Sequence, residues 1–376
     1  MRLRRKLTSV AVLAVALGGC GVPSEGDGDP GPGALSGRDG SPAATAAGRD
    51  DESSGDPAGV ASPDAAPGAT AGRTLSVATV AELEAALVGA GPGTVIEIAD
   101  GTYQRDGGDR FTAAADGTAD APITLRGTTA AVLTSDGIRG DYGLHVTGDH
   151  YRLDGFAVRE ATKGIVLDGS VGTIIDGVDV GHVGEEGVHF RACSSGGVLR
   201  DSTIHDTGLQ KPRFGEGVYV GSANSNWDKY GCADGRDGTQ DTLIEGNTFT
   251  RIAAEGADLK EGTDSGILRD NVFVDAGYSG ENSADSAIDV KGNGWSIIGN
   301  TIREPSGAAL DAIQIHHVYD GYGRGNTIDS NVVEGDWPGF GVGAYPLGDN
   351  LVTCSNAAPG ARLGLVGDGS RPATCS

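Results

Sequence analysis

A five-residue phrase recurs along the middle of the chain: a small residue, an apolar one, a variable one, an apolar one and a variable one. It occupies residues 143–147, 164–168, 187–191, 217–221, 256–260, 287–291 and 312–316. Between the copies runs a second phrase, two apolar residues followed by a tight corner, at 243–249, 267–273 and 297–302. The spacing, roughly 23–30 residues, is that of solenoid repeats. Each unit alternates with the period of a strand and has no helical spacing. Short strands joined by Gly and Asn corners predict an all-β solenoid, a parallel β-helix. Stacking then places equivalent residues of successive coils in columns.

The start of the chain differs. Met1 to Lys6 is basic, residues 7–17 are apolar, and Gly18, Gly19 and Cys20 follow. This is a secretory signal, too short to span a membrane as a mature helix. Leu17, Gly18, Gly19 and Cys20 resemble a bacterial lipobox, which implies a lipidated Cys20 and a lipid-anchored protein on the extracellular face of the cell membrane. Residues 20–73 are rich in Gly, Ala, Pro and Asp, cannot bury enough apolar surface to fold, and read as a tether. The expected organisation is therefore a signal at 1–19, a tether at 20–73 and a β-helix domain at 74–376, acting as a monomer.

Four cysteines remain after Cys20, and an exported chain is expected to oxidise them. Four cysteines allow three pairings; Cys193–Cys232 and Cys354–Cys375 are favoured because each pair would sit near the end of a loop excursion. The formal net charge of −24 argues against nucleic-acid binding. It also repels polyanionic sugars, so such a substrate requires a local basic patch or bridging cations. Gly-x-Ser-x-Gly, His-Glu-x-x-His and phosphate-loop motifs do not occur.

Residues 79–87 have helical spacing behind a Thr79 N-cap and predict a short helix covering the open N-terminal end of the solenoid. Ser202, Asn247, Asn271, Asn300 and Asn331 form a corner column, each preceded by Gly, Asp or Ser, which suits left-handed corners. Three excursions, at about 205–216, 222–241 and 275–286, are expected to cluster on one side. The tail after Val342 loses the rhythm and reads as a C-terminal cap.

In each phrase the second and fourth residues point inward and the third and fifth outward. One outward column reads His145, Val166, His189, Tyr219, Asp258, Asp289 and Gln314. The next reads Thr147, Asp168, Arg191, Gly221, Lys260, Lys291 and His316. A third, just before the phrase, reads Glu186, Glu216, Glu255, Ser286 and Asp311. Charges of both signs converge on Lys260, framed by the excursions; a solvated strand face with paired charges would give similar columns. Carboxylates stacked in adjacent coils repel, and a hard cation relieves the conflict. Glu216, Glu255 and Asp258 are the candidate Ca²⁺ ligands.

These phrases resemble the pectate-lyase-like superfamily of right-handed β-helices. Residues 100–103 and 121–127 are similar to the N-terminal coils of its chondroitinase B and alginate lyase group. In that group a Lys base lies five residues after a calcium-binding Glu, the spacing of Glu255 and Lys260. The group's Arg one coil later is Lys291 here, and its second Glu is Ala253. The resemblance implies a polysaccharide lyase that cleaves an acidic, uronic-acid-containing polymer by β-elimination. Lys260 would be the base, its pKa lowered by Lys291 and Arg191 and raised by Asp258 and Asp289. Tyr219 or Lys291 would protonate the leaving oxygen, and calcium or Arg191 would neutralise the uronate. His189, Asp289, His316 and Gln314 would contact the sugar. The alternatives are a non-catalytic glycan-binding β-helix, or a glycoside hydrolase using Asp258 and Asp289.

Overall fold

The computed structural model describes residues 72–105, 107 and 109–376. The signal segment, Cys20 and the tether up to residue 71 lie outside the described residues. From Thr74 onward each repeat forms one coil of three short strands, and coils stack by parallel pairing into three sheets. Among the described residues, sheet 1 has 11 strands, from Thr74–Val77 to Leu351–Val352. Sheet 2 has nine, from Gly101–Gln104 to Val332–Val333. Sheet 3 has 11: ten from Phe111–Ala113 to Gly364–Asp368, and Arg371–Ala373, which closes its far edge antiparallel. This is the parallel β-helix expected.

The register follows from which residues exclude water. Leu144 and Val146, Ile165 and Leu167, Val188 and Phe190, Val218 and Val220, and Ile288 and Val290 all face the interior with no exposed surface. A slip of one residue would turn each such pair outward, so burial locks the pairing. The outward column is therefore paired as the phrase predicts: His145 with Val166, Val166 with His189, His189 with Tyr219, Tyr219 with Asp258, Asp258 with Asp289, and Asp289 with Gln314.

The corner column is a buried amide ladder. The Asn271 backbone N–H and side-chain Nδ2 donate to Asn300 Oδ1 at 3.1 and 3.0 Å, and Asn300 repeats both bonds to Asn331. Each Nδ2 also donates to a carbonyl of the coil behind, Ile244 for Asn271 and Leu268 for Asn300. The preceding residues hold positive φ, 57° at Asp270 and 67° at Gly299, the left-handed corner anticipated. Phe249 and Phe273 stack with centroids 4.7 Å apart in the interior.

Helix Val80–Val88 caps the N-terminal end. Thr79 and Glu82 form a reciprocal capping box, and Leu83, Ala86 and Leu87 are buried against the first coil. Both favoured disulfides, Cys193–Cys232 and Cys354–Cys375, are present. Two expectations are corrected. The rhythm does not end at Val342: Phe340–Tyr345 and Leu351–Val352 extend sheets 3 and 1 by another coil. The excursions do not share one side, because His205 belongs to strand Thr203–Thr207. The loops near 208–217 and 277–285 leave between sheets 2 and 3, whereas 222–241 leaves between sheets 3 and 1. Sheet 3 therefore has a loop rim along both ends of its strands.

Replacing Asn300 by Ala leaves the Leu268 carbonyl and the Asn271 amides unpaired in a dry corner. It should cost about 3 kcal/mol in denaturant unfolding, whereas a change at the exposed Ile267 should cost far less.

Candidate active site on the third sheet

The outward face of sheet 3 carries charge yet is buried. The loop rims cover it, so Glu216, Glu255, Asp258, Asp289, His189 and Arg191 each expose 5% or less of their surface. This removes the reading of a merely solvated strand face.

At the centre, Lys260 Nζ lies 3.5 Å from Asp258 Oδ2 and 5.6 Å from the centroid of the Tyr219 ring. Burial alone would push this ammonium toward losing its proton, but Asp258, Glu261, Asp289 and Glu255 outweigh it and hold its pKa above the ordinary lysine value. That corrects the expectation of a lowered Lys260. Lys291 bridges two coils, 2.8 Å from Asp258 Oδ1 and 2.7 Å from Asp289 Oδ2. It too is held protonated against burial, by Asp258 and Asp289. Its place is that of a fixed tie rather than a mobile proton donor.

Arg191 is likewise committed. Its Nε donates to Asp168 Oδ1 at 2.6 Å, and its guanidinium lies 4.0 Å from the Tyr230 ring centroid. The expectation that Arg191 neutralises a substrate carboxylate gives way to this buried pair. His189 is buried and its pKa pushed well down, by desolvation first and then by Arg191 and Lys163. Its Nε2 lies 2.9 Å from the Gly221 carbonyl, its ring is 4.4 Å from Tyr219, and Nδ1 has no hydrogen-bond partner among the described residues. Of the four expected sugar contacts, His189, Asp289 and Gln314 are buried; His316 is partly open, with Nδ1 2.9 Å from Asp289 Oδ1 and its ring stacked on Tyr345.

Glu216, Glu255 and Asp258 do converge. Each offers a carboxylate oxygen within 4.8 Å of the other two, and all are buried. Desolvation and mutual repulsion push Glu216 well up and Glu255 to about 8. Glu216 Oε2 has no hydrogen-bond partner among the described residues. A buried carboxylate set with an orphan oxygen has the donors a hard cation takes.

Sequence reasoning passed over Tyr142, Lys163, Tyr230 and Asp237. Tyr142 and Lys163 extend the third column backward: the Gly143 N–H donates to the Lys163 carbonyl as the Gly164 N–H does to that of Glu186. Reading the column two coils further would have found both. Tyr230 and Asp237 lie in the irregular 222–241 loop, where no period signals a position. Asp237 is fully buried and pins that loop by accepting from the Ala192 and Cys193 backbone N–H groups and the Ser222 hydroxyl.

No curated protein matches the sequence. The family described as "Right handed beta helix region" matches residues 142–313. Among solved structures, the chain is similar to an alginate lyase from Paenibacillus sp. str. FPU-7, at 36% identity and a TM-score of 0.72, over 80% of this chain and 99% of that one. It also shares its fold with the ORF18 protein of Geobacillus virus E2, at 12% identity and a TM-score of 0.51, over 73% of this chain and 57% of that one. With 36% identity along almost the whole length of the Paenibacillus protein, the chain belongs to that protein's family of right-handed parallel β-helices.

Proposed function

We propose that this protein is a polysaccharide lyase that cleaves a uronic-acid polymer by β-elimination, alginate being the polymer its Paenibacillus relative is named for. The observation that carries the reading is the convergence of Lys260 and Tyr219, one coil apart, on the loop-framed face of sheet 3. Elimination removes the proton at C5, forms the C4–C5 double bond and expels the C4 oxygen, which takes a proton. The carboxylate charge must be neutralised for C5 to become acidic. A Lys260 held as the ammonium suits the cationic half of this chemistry, pairing with the carboxylate or protonating the leaving oxygen. Tyr219, beneath it, is then the group that in its phenolate form takes the C5 proton, becoming the neutral phenol as the C4 oxygen takes a proton from the Lys260 ammonium. This exchanges the roles expected from sequence.

Asp258 and Asp289 make a poor acid–base pair for hydrolysis. Both are bound to the same Lys291 ammonium, and Lys291 and His316 hold Asp289 well below the usual carboxylate range despite its burial. A non-catalytic glycan binder is favoured by Ala253 and Lys291 standing where the lyase group has Glu and Arg. In either case we place the protein outside the cell, anchored through Cys20. The calcium reading rests on Glu216, Glu255 and Asp258, which would hold the ion; bound there, it would supply positive charge beside the uronate.

Two experiments test this. Incubated with alginate and followed by ultraviolet absorbance of the unsaturated product, K260A and Y219F should each lose at least about 100-fold in kcat. K260R, which keeps the cation, should retain more turnover than K260A; equal loss in K260R and K260A would return Lys260 to the role of base. A binder would show no product with any variant. The second concerns Glu255. Its pKa is raised on folding, so the folded state keeps the proton longer than the unfolded one and stability falls as pH rises from about 4.5 toward 8. In chelator, E255Q should flatten that fall in a urea-denaturation series. Added calcium should raise the melting temperature of the parent at pH 8 but not that of E255Q; no calcium shift in the parent would remove the metal.

A further inference from the structure

The column of Lys260 and Lys291 runs along the ends of the sheet 3 strands that lead into sheet 1. After Lys260 and Lys291 themselves the chain crosses to sheet 1 by short turns, residues 261–266 and 292–295. The coils on either side cross by long loops, 222–241 and 317–326. The two loops start three coil steps apart, about 14 Å at the spacing of paired strands, and they meet across the short turns. What meets there is aromatic. Trp227 and Tyr319 lie edge to face with ring centroids 5.0 Å apart, and Tyr322 stands 6.2 Å from Trp227 and 6.1 Å from Tyr319.

The rings are fixed to the site. A Cβ at Gly262, two residues beyond Lys260, would lie 3.0 Å from Trp227 Cζ2, so the indole is seated against the Lys260 turn. Its Nε1 donates to the Ser222 carbonyl at 3.0 Å. Arg236 Nη1 donates to the Tyr322 hydroxyl at 2.8 Å, and Asn293 Nδ2, on the turn after Lys291, donates to the Gly321 carbonyl at 3.0 Å. Trp227 and Tyr322 thus spend their polar tips within the protein. The rings nevertheless meet water: Tyr319 is 42% exposed, and Trp227 and Tyr322 are half-buried. The floor alongside opens in the same direction. Tyr219, His189, Val166 and His145, on the coils before Lys260, are all sealed, whereas two coils after it His316 keeps 27% of its side chain open above the tied Lys291 and Asp289. Rigid rings exposed beside an open floor are the mark of a binding surface.

We propose that Trp227 and Tyr319 form a stacking subsite for one pyranose ring of the substrate, on the C-terminal side of Lys260, and that it takes mannuronate in preference to guluronate. This rests on the lyase reading. The negative face of an aromatic ring attracts the C–H hydrogens of a sugar rather than its carboxylate, so the contact needs no spare cation in a chain of net charge −24. A β-mannuronate chair sets its C1, C3 and C5 hydrogens axial on one side, an unbroken apolar face. An α-guluronate residue, in the inverted chair, carries axial oxygen on both sides and has no such face. Rings already held in place lose little freedom on binding. Trp227 and Tyr319 are specificity residues and take no part in the chemistry.

The test is calorimetric binding of hexamannuronate and hexaguluronate to the full chain carrying Y219F, which keeps the Lys260 cation. Adding Y319A should weaken hexamannuronate binding about tenfold, and Y319F, which keeps the ring, should stay within about twofold. Hexaguluronate should bind the parent more weakly and be indifferent to Y319A. A second readout locates the sugar directly. Trp295 and Trp337 are only 1% exposed, so acrylamide quenching of fluorescence reports Trp227, and hexamannuronate should shield it. Shielding is read on the parent, so the subsite remains testable if Y319A lowers the melting temperature. If the parent binds hexamannuronate but Trp227 stays open to acrylamide, the subsite is wrong and the lyase reading stands. The same holds if Y319F loses as much affinity as Y319A. If Y319A weakens both hexamers alike, the preference for mannuronate is wrong. If the parent binds neither hexamer, the subsite and the lyase reading both fall.

Discussion

Backbone hydrogen bonding between coils governs everything else in this molecule. Each strand pairs with the equivalent strand of the next repeat, so the neighbour of any residue is the residue one coil away. Inward pairs such as Ile165 with Val188 and Leu167 with Phe190 hold that register through burial. The corner amides hold it again through Asn247, Asn271, Asn300, Asn331 and Asn356, each accepting from the coil before it. Local propensity, core and corner all favour the same stacking, which is the agreement between levels expected of a well-specified fold.

The face of sheet 3 turns this register to another use. Parallel stacking brings like side chains together, and here it stacks carboxylates under a roof of loops. The conflict is met by cations that each span two coils: Lys291 between Asp258 and Asp289, Arg191 with Asp168, Lys163 with Glu186. Glu216 and Glu255 remain less well compensated, and they are where burial and repulsion hold the proton on the carboxyl. A buried charge left without compensation is costly, so the network is cooperative: removing one tie unsettles the acids on both sides of it. Lys260 stands apart, with a single acid at 3.5 Å and an aromatic ring beneath it.

Most of the scaffold is legible in the sequence because it is periodic. The two outward columns and the column preceding the phrase are those of the structure, down to Asp258 beside Asp289. The left-handed corners are legible because Gly, Asp and Ser precede the amides. What cannot be read is depth. Sequence alternation says which side of a strand a residue faces, but not whether a loop lies over it; His189, Arg191 and Gln314 fall on the expected side and at an unexpected distance from water. The roof comes from 208–217 and 222–241, which have no period, so the contact of Tyr230 with Arg191 and the pinning of the loop by Asp237 carry no signal. The protonation of Lys260 is hidden for the same reason. The balance of its neighbours depends on burial, and burial depends on those loops.

The excursions leave and re-enter the coil at adjacent positions, and this has a consequence for how the fold can vary. Gly143 and Gly164 are 21 residues apart and Gly217 and Gly256 are 39, yet Leu144 pairs with Ile165 in the same manner as Val218 pairs with Ala257. The stack does not register how much chain is spent outside it. Length can therefore be gained or lost at either rim without moving a floor residue, and the closure of a longer loop costs only logarithmically more. In such a frame the floor and its walls are separately heritable: one lineage can keep Lys260 over Tyr219 and change, by insertion alone, which polymer lies across them.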